Sequence, residues 1–156
     1  MALKTAPAVR QQMLIRKPVA DVFRAFIDPA ITTKFWFTKS SGKLEQGKSV
    51  RWEWEMYGAS VDVKVQALEP NKRIRIEWGS GGVFTIVEWE FDARPDGTTL
   101  VKVANTGFKG DDDEQVAKAL DGMGGFSFLL GAAKIFLEHG VEPRFVPDHY
   151  PDAHRK

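Results

Sequence analysis

The chain has no cysteine among its 156 residues. That absence excludes disulfide staples, Cys-ligated zinc, iron–sulfur clusters and thiol nucleophiles together, while saying little about compartment, because a reducing cytosol permits it without requiring it. Histidine is scarce: His139 ends a helical pattern, and His149 and His154 lie in the tail, where capping or solvation explains them better than general-base work. No nucleophile elbow, phosphate loop or His-Glu-x-x-His sequence occurs. Neither sign of charge is in excess, with 22 Lys plus Arg against 21 Asp plus Glu interspersed along the chain, so there is no nucleic-acid footprint. Long apolar runs are missing too. The longest uncharged stretch, Gly122 to Ala133, is glycine-rich and well short of the roughly 20 residues that span a bilayer. Met1 to Gln12 carries Lys4 and Arg10 without the apolar centre of a signal or an anchor. The expectation is a soluble, cytoplasmic protein whose mature chain begins at Met1, with no metal and no cofactor.

What the chain does have is aromatic surface: 5 Trp and 11 Phe, for 12% aromatic residues with Tyr included. Its length matches one domain on a scale of roughly 100 to 200 residues each, large enough for a single core. Val9 to Ile15 reads as a strand ended by Pro18. Ala20, Val22, Phe23, Phe26 and Ile27 then recur at helical spacing, Asp28-Pro29 stops that helix, and Ile31, Phe35, Trp36 and Phe37 form a second short apolar cluster.

From Ser49 to Asn105 the period changes to two. Val50, Trp52, Trp54 and Met56 alternate with Arg51, Glu53 and Glu55; Val61, Val63, Val65 and Ala67 alternate with Asp62, Lys64 and Gln66; Ile74, Ile76 and Trp78 alternate with Arg73, Arg75 and Glu77. Thr85, Val87, Trp89 and Phe91 form another one-sided set, as do Thr99, Val101, Val103 and Asn105 after the Asp96-Gly97 hairpin signal. Alternation this regular predicts an antiparallel meander, since doubly covered parallel strands would be apolar throughout. Asp111 as N-cap and Glu114 three residues on open a long helix. In it Val116, Leu120, Met123, Phe126, Leu130, Ala133 and Leu137 recur, Gly140 caps it and Pro143 prevents continuation. The predicted tail, 141–156, is extended and weakly ordered. The acidic run Asp111 to Glu114 lacks calcium-loop spacing and suits the helix dipole.

Such a sheet must bury its apolar face, and the long helix is the only element able to cover it. The segment Ile15 to Phe26, then Asp28-Pro29 and Phe35-Trp36-Phe37, resembles the opening of the activator-of-heat-shock-ATPase-like branch of the START-like, birch-pollen-allergen-like helix-grip superfamily. Leu44-Glu45-Gln46-Gly47, Leu68 to Ile74, Gly125-Phe126 and Leu137-Glu138-His139-Gly140 are similar to the same family, with Phe126 where a Trp often follows the glycine. The resemblance implies an α+β helix-grip fold: about seven antiparallel strands curved around the C-terminal helix, two short helices after the first strand, and a cavity that in many relatives holds a lipid, sterol, hormone or polyketide.

The residues expected to contact a ligand are Phe37, Trp52, Trp54, Met56, Trp78, Thr85, Trp89, Asn105, Met123, Phe126, Ser127 and Leu130. Core packing explains any one of these rings, because burying a Trp is favourable with or without a ligand. The set favours a pocket, because a concave sheet and a straight helix cannot touch along their whole length. Gly122, Gly124, Gly125 and Gly131 each cost about 1 kcal/mol in a helix, tolerated for close packing, a kink or space. Thr85, Asn105 and Ser127 are polar on apolar faces; backbone hydrogen bonding is expected for Thr85 and Ser127, with Asn105 open between a turn and a ligand. Glu53, Glu55, Glu88 and Glu90 fall on the outer face, so no catalytic residue is assigned. The reading is binding of a small, largely apolar molecule without nucleic acid or a membrane span. Cyclase-type catalysis on a polyketide-like substrate, a co-chaperone-like interaction module and a homodimer stay open.

Overall fold

The computed structural model describes residues 3–153. Seven strands form one sheet: β1 (Val9–Ile15), β2 (Lys39–Ser40), β3 (Ser49–Trp54), β4 (Ala59–Glu69), β5 (Arg73–Ser80), β6 (Val83–Ala93) and β7 (Thr99–Thr106). Their order is β1-β7-β6-β5-β4-β3-β2, and every pairing is antiparallel. Two short helices, α1 (Val19–Ile27) and α2 (Pro29–Thr32), follow β1, α3 (Asp112–His139) is the long helix, and α4 (Phe145–His149) lies in the tail. This is the expected α+β helix-grip arrangement of a curved sheet and one long helix.

Local chemistry sets the joints. Asp28 ends α1 and caps α2, its Oδ1 accepting the Ala30 N–H at 3.0 Å while Pro29 occupies the first helical position. Asp111 caps α3 by accepting the Glu114 N–H at 2.9 Å, and Gly140 closes it in the left-handed region at φ 68°. Ser80 pairs with Val83 across Gly81 and Gly82, both at positive φ, as a two-residue hairpin turn requires.

The inner face carries the alternating residues. Val63, Ile74, Ile76, Val87 and Val101 are fully buried, with Trp52 and Trp89 each 1% exposed. Three expectations are corrected. Gln66 is an extra residue in β4, a bulge that sets Ala67 opposite Arg75 and turns Leu68 inward opposite Ile74. The β3 alternation stops at Trp54, because Glu55–Tyr57 is a single 3-10 turn, and this removes Met56 from the inner face. The tail is not extended throughout, since α4 packs beside α3, with Phe145 and His149 against Phe128.

Helix α3 packs mainly against β1. Along α3, Phe126, Leu129, Leu130, Ala132 and Ala133 are buried, whereas Leu120 and Met123, expected on the same face, are exposed. An 18-residue window of α3 reaches a mean hydropathy of 1.3, enough by length and composition to cross a membrane, although the core-facing residues account for part of that apolarity. On the outer face Arg73 and Arg75 both bridge to Glu88 across the strands.

The C-terminal half of α3 is tied to β1 by an ionic hydrogen-bond cluster. Lys134 Nζ donates to Leu14 O and to Glu138 Oε2, both at 2.7 Å, and the Arg16 N–H donates to the same carboxylate at 2.9 Å. Burial alone would raise the Glu138 carboxyl, but hydrogen bonds from Lys134 and Arg16, with the nearby positive charges of Lys134 and His139, outweigh it and hold the group below its ordinary value. A group depressed in the folded state contributes stability above its unfolded pKa and loses it as pH falls through the folded one. Urea denaturation from about pH 6 to pH 3 should therefore show a steeper loss for the wild type than for Glu138→Gln. Parallel curves would mean the cluster adds nothing.

Candidate ligand-binding cavity

Between the N-terminal half of α3, the ends of β3, β5 and β7, and the α4 segment lies a cavity of about 400 Å³, within the usual range of about 300 to 1,000 Å³ for small-molecule sites. Its apolar wall is built by Trp36, Trp54, Trp78, Phe108, Phe126 and Phe128. Polar groups enter from Tyr57, Asn105, Lys118, Asp121, His149 and Tyr150.

The glycines of α3 resolve into different roles. A Cβ on Gly122 would lie 2.8 Å from Val9 Cγ2, so this glycine permits close approach to β1. A Cβ on Gly124 or Gly125 would meet nothing within 4 Å, and Gly125 lines the cavity, so there the missing side chain is space. A Cβ on Gly131 would make ordinary contact with Phe145, 3.8 Å away.

Of the expected site residues, the structure brings Trp54, Trp78, Asn105 and Phe126 together on this wall. Phe37, Trp52, Trp89 and Leu130 lie in the core instead: Phe37 stacks on Trp52 at 4.6 Å between centroids, and Trp89 is enclosed by Phe26, Trp36 and Phe126. Among the described residues, the Trp89 indole N–H finds no hydrogen-bond partner. Met56 faces a separate hollow beside Pro143 and Arg144. Met123 and Ser127 sit on the exposed side of α3 next to β1, where Ser127 Oγ donates to Met123 O at 2.7 Å and accepts from Gln11 Nε2 at 2.8 Å. Backbone bonding thus holds for Ser127. Thr85 differs from expectation: its Oγ1 accepts from the Trp78 indole and from Asn105 Nδ2, both at 3.0 Å.

Sequence reasoning missed Trp36, Tyr57, Phe108 and the α4 residues. Trp36 follows α2 outside any strand, so no alternation assigned it a face, yet its ring lies within 6.4 Å of Trp52, Trp54, Trp78, Trp89 and Phe126. Tyr57 donates its hydroxyl to the Val146 carbonyl, latching the tail to the β3–β4 turn. Burial raises this phenol and the charges of Asp148 and Tyr150 add to it, against a lowering by a backbone hydrogen bond from Tyr150, so it stays a neutral donor. The His149 ring lies between Phe128 and Tyr150, with centroids 4.4 and 4.2 Å away and the planes tilted. His154 lies outside the described residues. Among the described residues no group of three His, Asp or Glu is placed to hold a metal ion.

The family model for "Activator of Hsp90 ATPase homolog 1-like protein" matches residues 16–125. Among solved structures, the protein SSP2350 from Staphylococcus saprophyticus is 31% identical, with a TM-score of 0.75 over 88% of this chain and 96% of its own. DynU16, a protein of the dynemicin biosynthetic locus, is 21% identical with a TM-score of 0.73; the match covers 88% of this chain and 49% of DynU16, and shows the fold alone. The Aha1 dimer from Colwellia psychrerythraea is 18% identical, with a TM-score of 0.71 over 85% of this chain and 97% of its own. A comparison with curated proteins found no match.

Proposed function

We propose, from the premise that the chain belongs to the Activator of Hsp90 ATPase homolog 1-like family within the START-like helix-grip superfamily, that it binds a small, largely apolar molecule with aromatic character in the cavity beside α3. The observation that carries the reading is the conjunction of a roughly 400 Å³ hollow, a wall of Trp and Phe rings, and a helix that keeps glycine where a side chain would fill the space. Planar rings offer a guest broad edge-to-face and stacked contact, while each buried aromatic removes roughly 150 to 250 Å² from water. The few polar groups on the same wall would orient the guest rather than supply its affinity.

The test separates wall from core. Trp54→Ala should weaken binding of the uncharged fluorescent probe N-phenylnaphthylamine about tenfold while lowering stability less than Trp52→Ala, whose ring is fully enclosed. Equal loss of stability with unchanged probe affinity would return Trp54 to the core and remove the reading. A cyclase-type activity is the second reading, favoured by Lys118, Asp121 and His149 on the cavity wall, which a plain container does not need. It would appear as a cyclised product, not only a bound guest, when the purified protein meets a reactive polyketide thioester. The dimeric Aha1 structure supports a homodimer here too, which sedimentation would detect.

A further inference from the structure

Asn105 is 4% exposed, yet it lines the cavity. Its Nδ2 spends both hydrogens on the sheet, donating to Thr85 Oγ1 at 3.0 Å and to Ile86 O at 2.8 Å. The amide cannot be turned over, because exchanging its ends would set two oxygens 2.8 Å apart at Ile86. Thr85 Oγ1 accepts from both Asn105 and the Trp78 indole, which fills its acceptor capacity and consumes the Trp78 N–H. Among the described residues no donor reaches Asn105 Oδ1. That oxygen faces Gly122, where even a Cβ would stand 3.9 Å away. The oxygen is not sealed off but opens onto the cavity, so a guest that enters without a donor strips it of solvent at a cost comparable to a lost hydrogen bond, and a guest that supplies a donor avoids that cost.

We infer that Asn105 Oδ1 is a fixed hydrogen-bond acceptor that selects, among apolar aromatic guests, those carrying a neutral O–H or N–H donor, phenol-like rather than carboxylate-bearing. The inference rests on the cavity being a binding site, as proposed above. The Trp78 N–H is committed to Thr85 and the Tyr57 O–H to Val146, so neither is spare to answer an anionic head group that would meet the Asn105 lone pair. Lys118 is the cation on the wall, but it is exposed and donates to Lys109 O at 3.0 Å.

Calorimetric titration with three molecules of one shape tests this: naphthol, its methyl ether and naphthoate. The wild type should bind naphthol about tenfold more tightly than the ether, with naphthoate no better than the ether. In Asn105→Leu, naphthol should fall to the level of the ether while the ether is unchanged. Should that variant fold poorly, Thr85→Val releases the amide from one of its two anchors and should shrink the naphthol preference. Equal binding of naphthol and ether by the wild type, or naphthoate binding tightest, overturns the inference and leaves the cavity reading standing. Binding of N-phenylnaphthylamine with none of the three naphthyl compounds bound overturns the inference alone. No binding of any probe overturns both.

Discussion

Trp36→Ala should cost about 3 to 5 kcal/mol of stability, read as a lower urea midpoint with little change in slope. Trp36 is 9% exposed and lies at the hub of the aromatic cluster, edge-on to Trp52 at 5.1 Å and to Trp54 at 5.7 Å, with Trp78 and Trp89 both at 5.8 Å. Removing it deletes one large burial and opens a void that rings held on three different strands cannot close without leaving their rotamers. It also joins the proposed cavity to the core, so the void should add to the binding space. The variant should then accept a guest one ring larger than the wild type does. A loss below about 1 kcal/mol would show that the cluster relaxes freely and that the hub does not organise it.

Two glycines one helical turn apart should respond with opposite signs. Gly122→Ala should destabilise by about 1 to 3 kcal/mol, because its Cβ would press on Val9 Cγ2 at 2.8 Å. Val9 is fully buried and β-branched, so it has little freedom to give way. That strain exceeds the gain of about 1 kcal/mol in helix propensity. A Cβ at Gly125 would meet nothing within 4 Å, so Gly125→Leu should instead gain up to about 1 kcal/mol while its side chain enters the cavity and lowers probe affinity about tenfold or more. Thermal melts and probe titrations of the pair check both halves. A stabilised Gly125→Leu that still binds the probe at wild-type strength would place the guest elsewhere. The sign difference separates a glycine that stability itself requires for contact, Gly122, from one that carries a stability cost for space, Gly125.

Much of the architecture was legible before any coordinates. Period-two alternation from Val50 to Asn105 identified the inward face of each long strand, and Val9 to Ile15 coincides with β1 residue for residue. Asp111, Gly140 and Asp28-Pro29 marked helix ends because capping is local chemistry. The departures are equally instructive. The bulge at Gln66 adds a residue to one strand of a pair, and the 3-10 turn at Glu55–Tyr57 ends β3 ahead of β4; a strict period shows neither. Leu120 and Met123 matched a helical stripe, yet the sheet reaches α3 mainly through β1 and leaves them uncovered.

The division at the cavity follows the same logic. The amino-acid order by itself determined which side of each strand is apolar, where the helices begin and stop, and that large rings would lie inside, because these depend on periodicity and on neighbours a few residues away. Only the tertiary structure decided that Trp52 and Trp89 are enclosed while Trp54 and Trp78 border a hollow, that Trp36 is their hub, and that the Asn105 oxygen meets no donor among the described residues. Residues on one face of a strand are equivalent until a second layer arrives at a particular height and angle. Here that layer is α3, which approaches β1 at Gly122 and leaves room at Gly125.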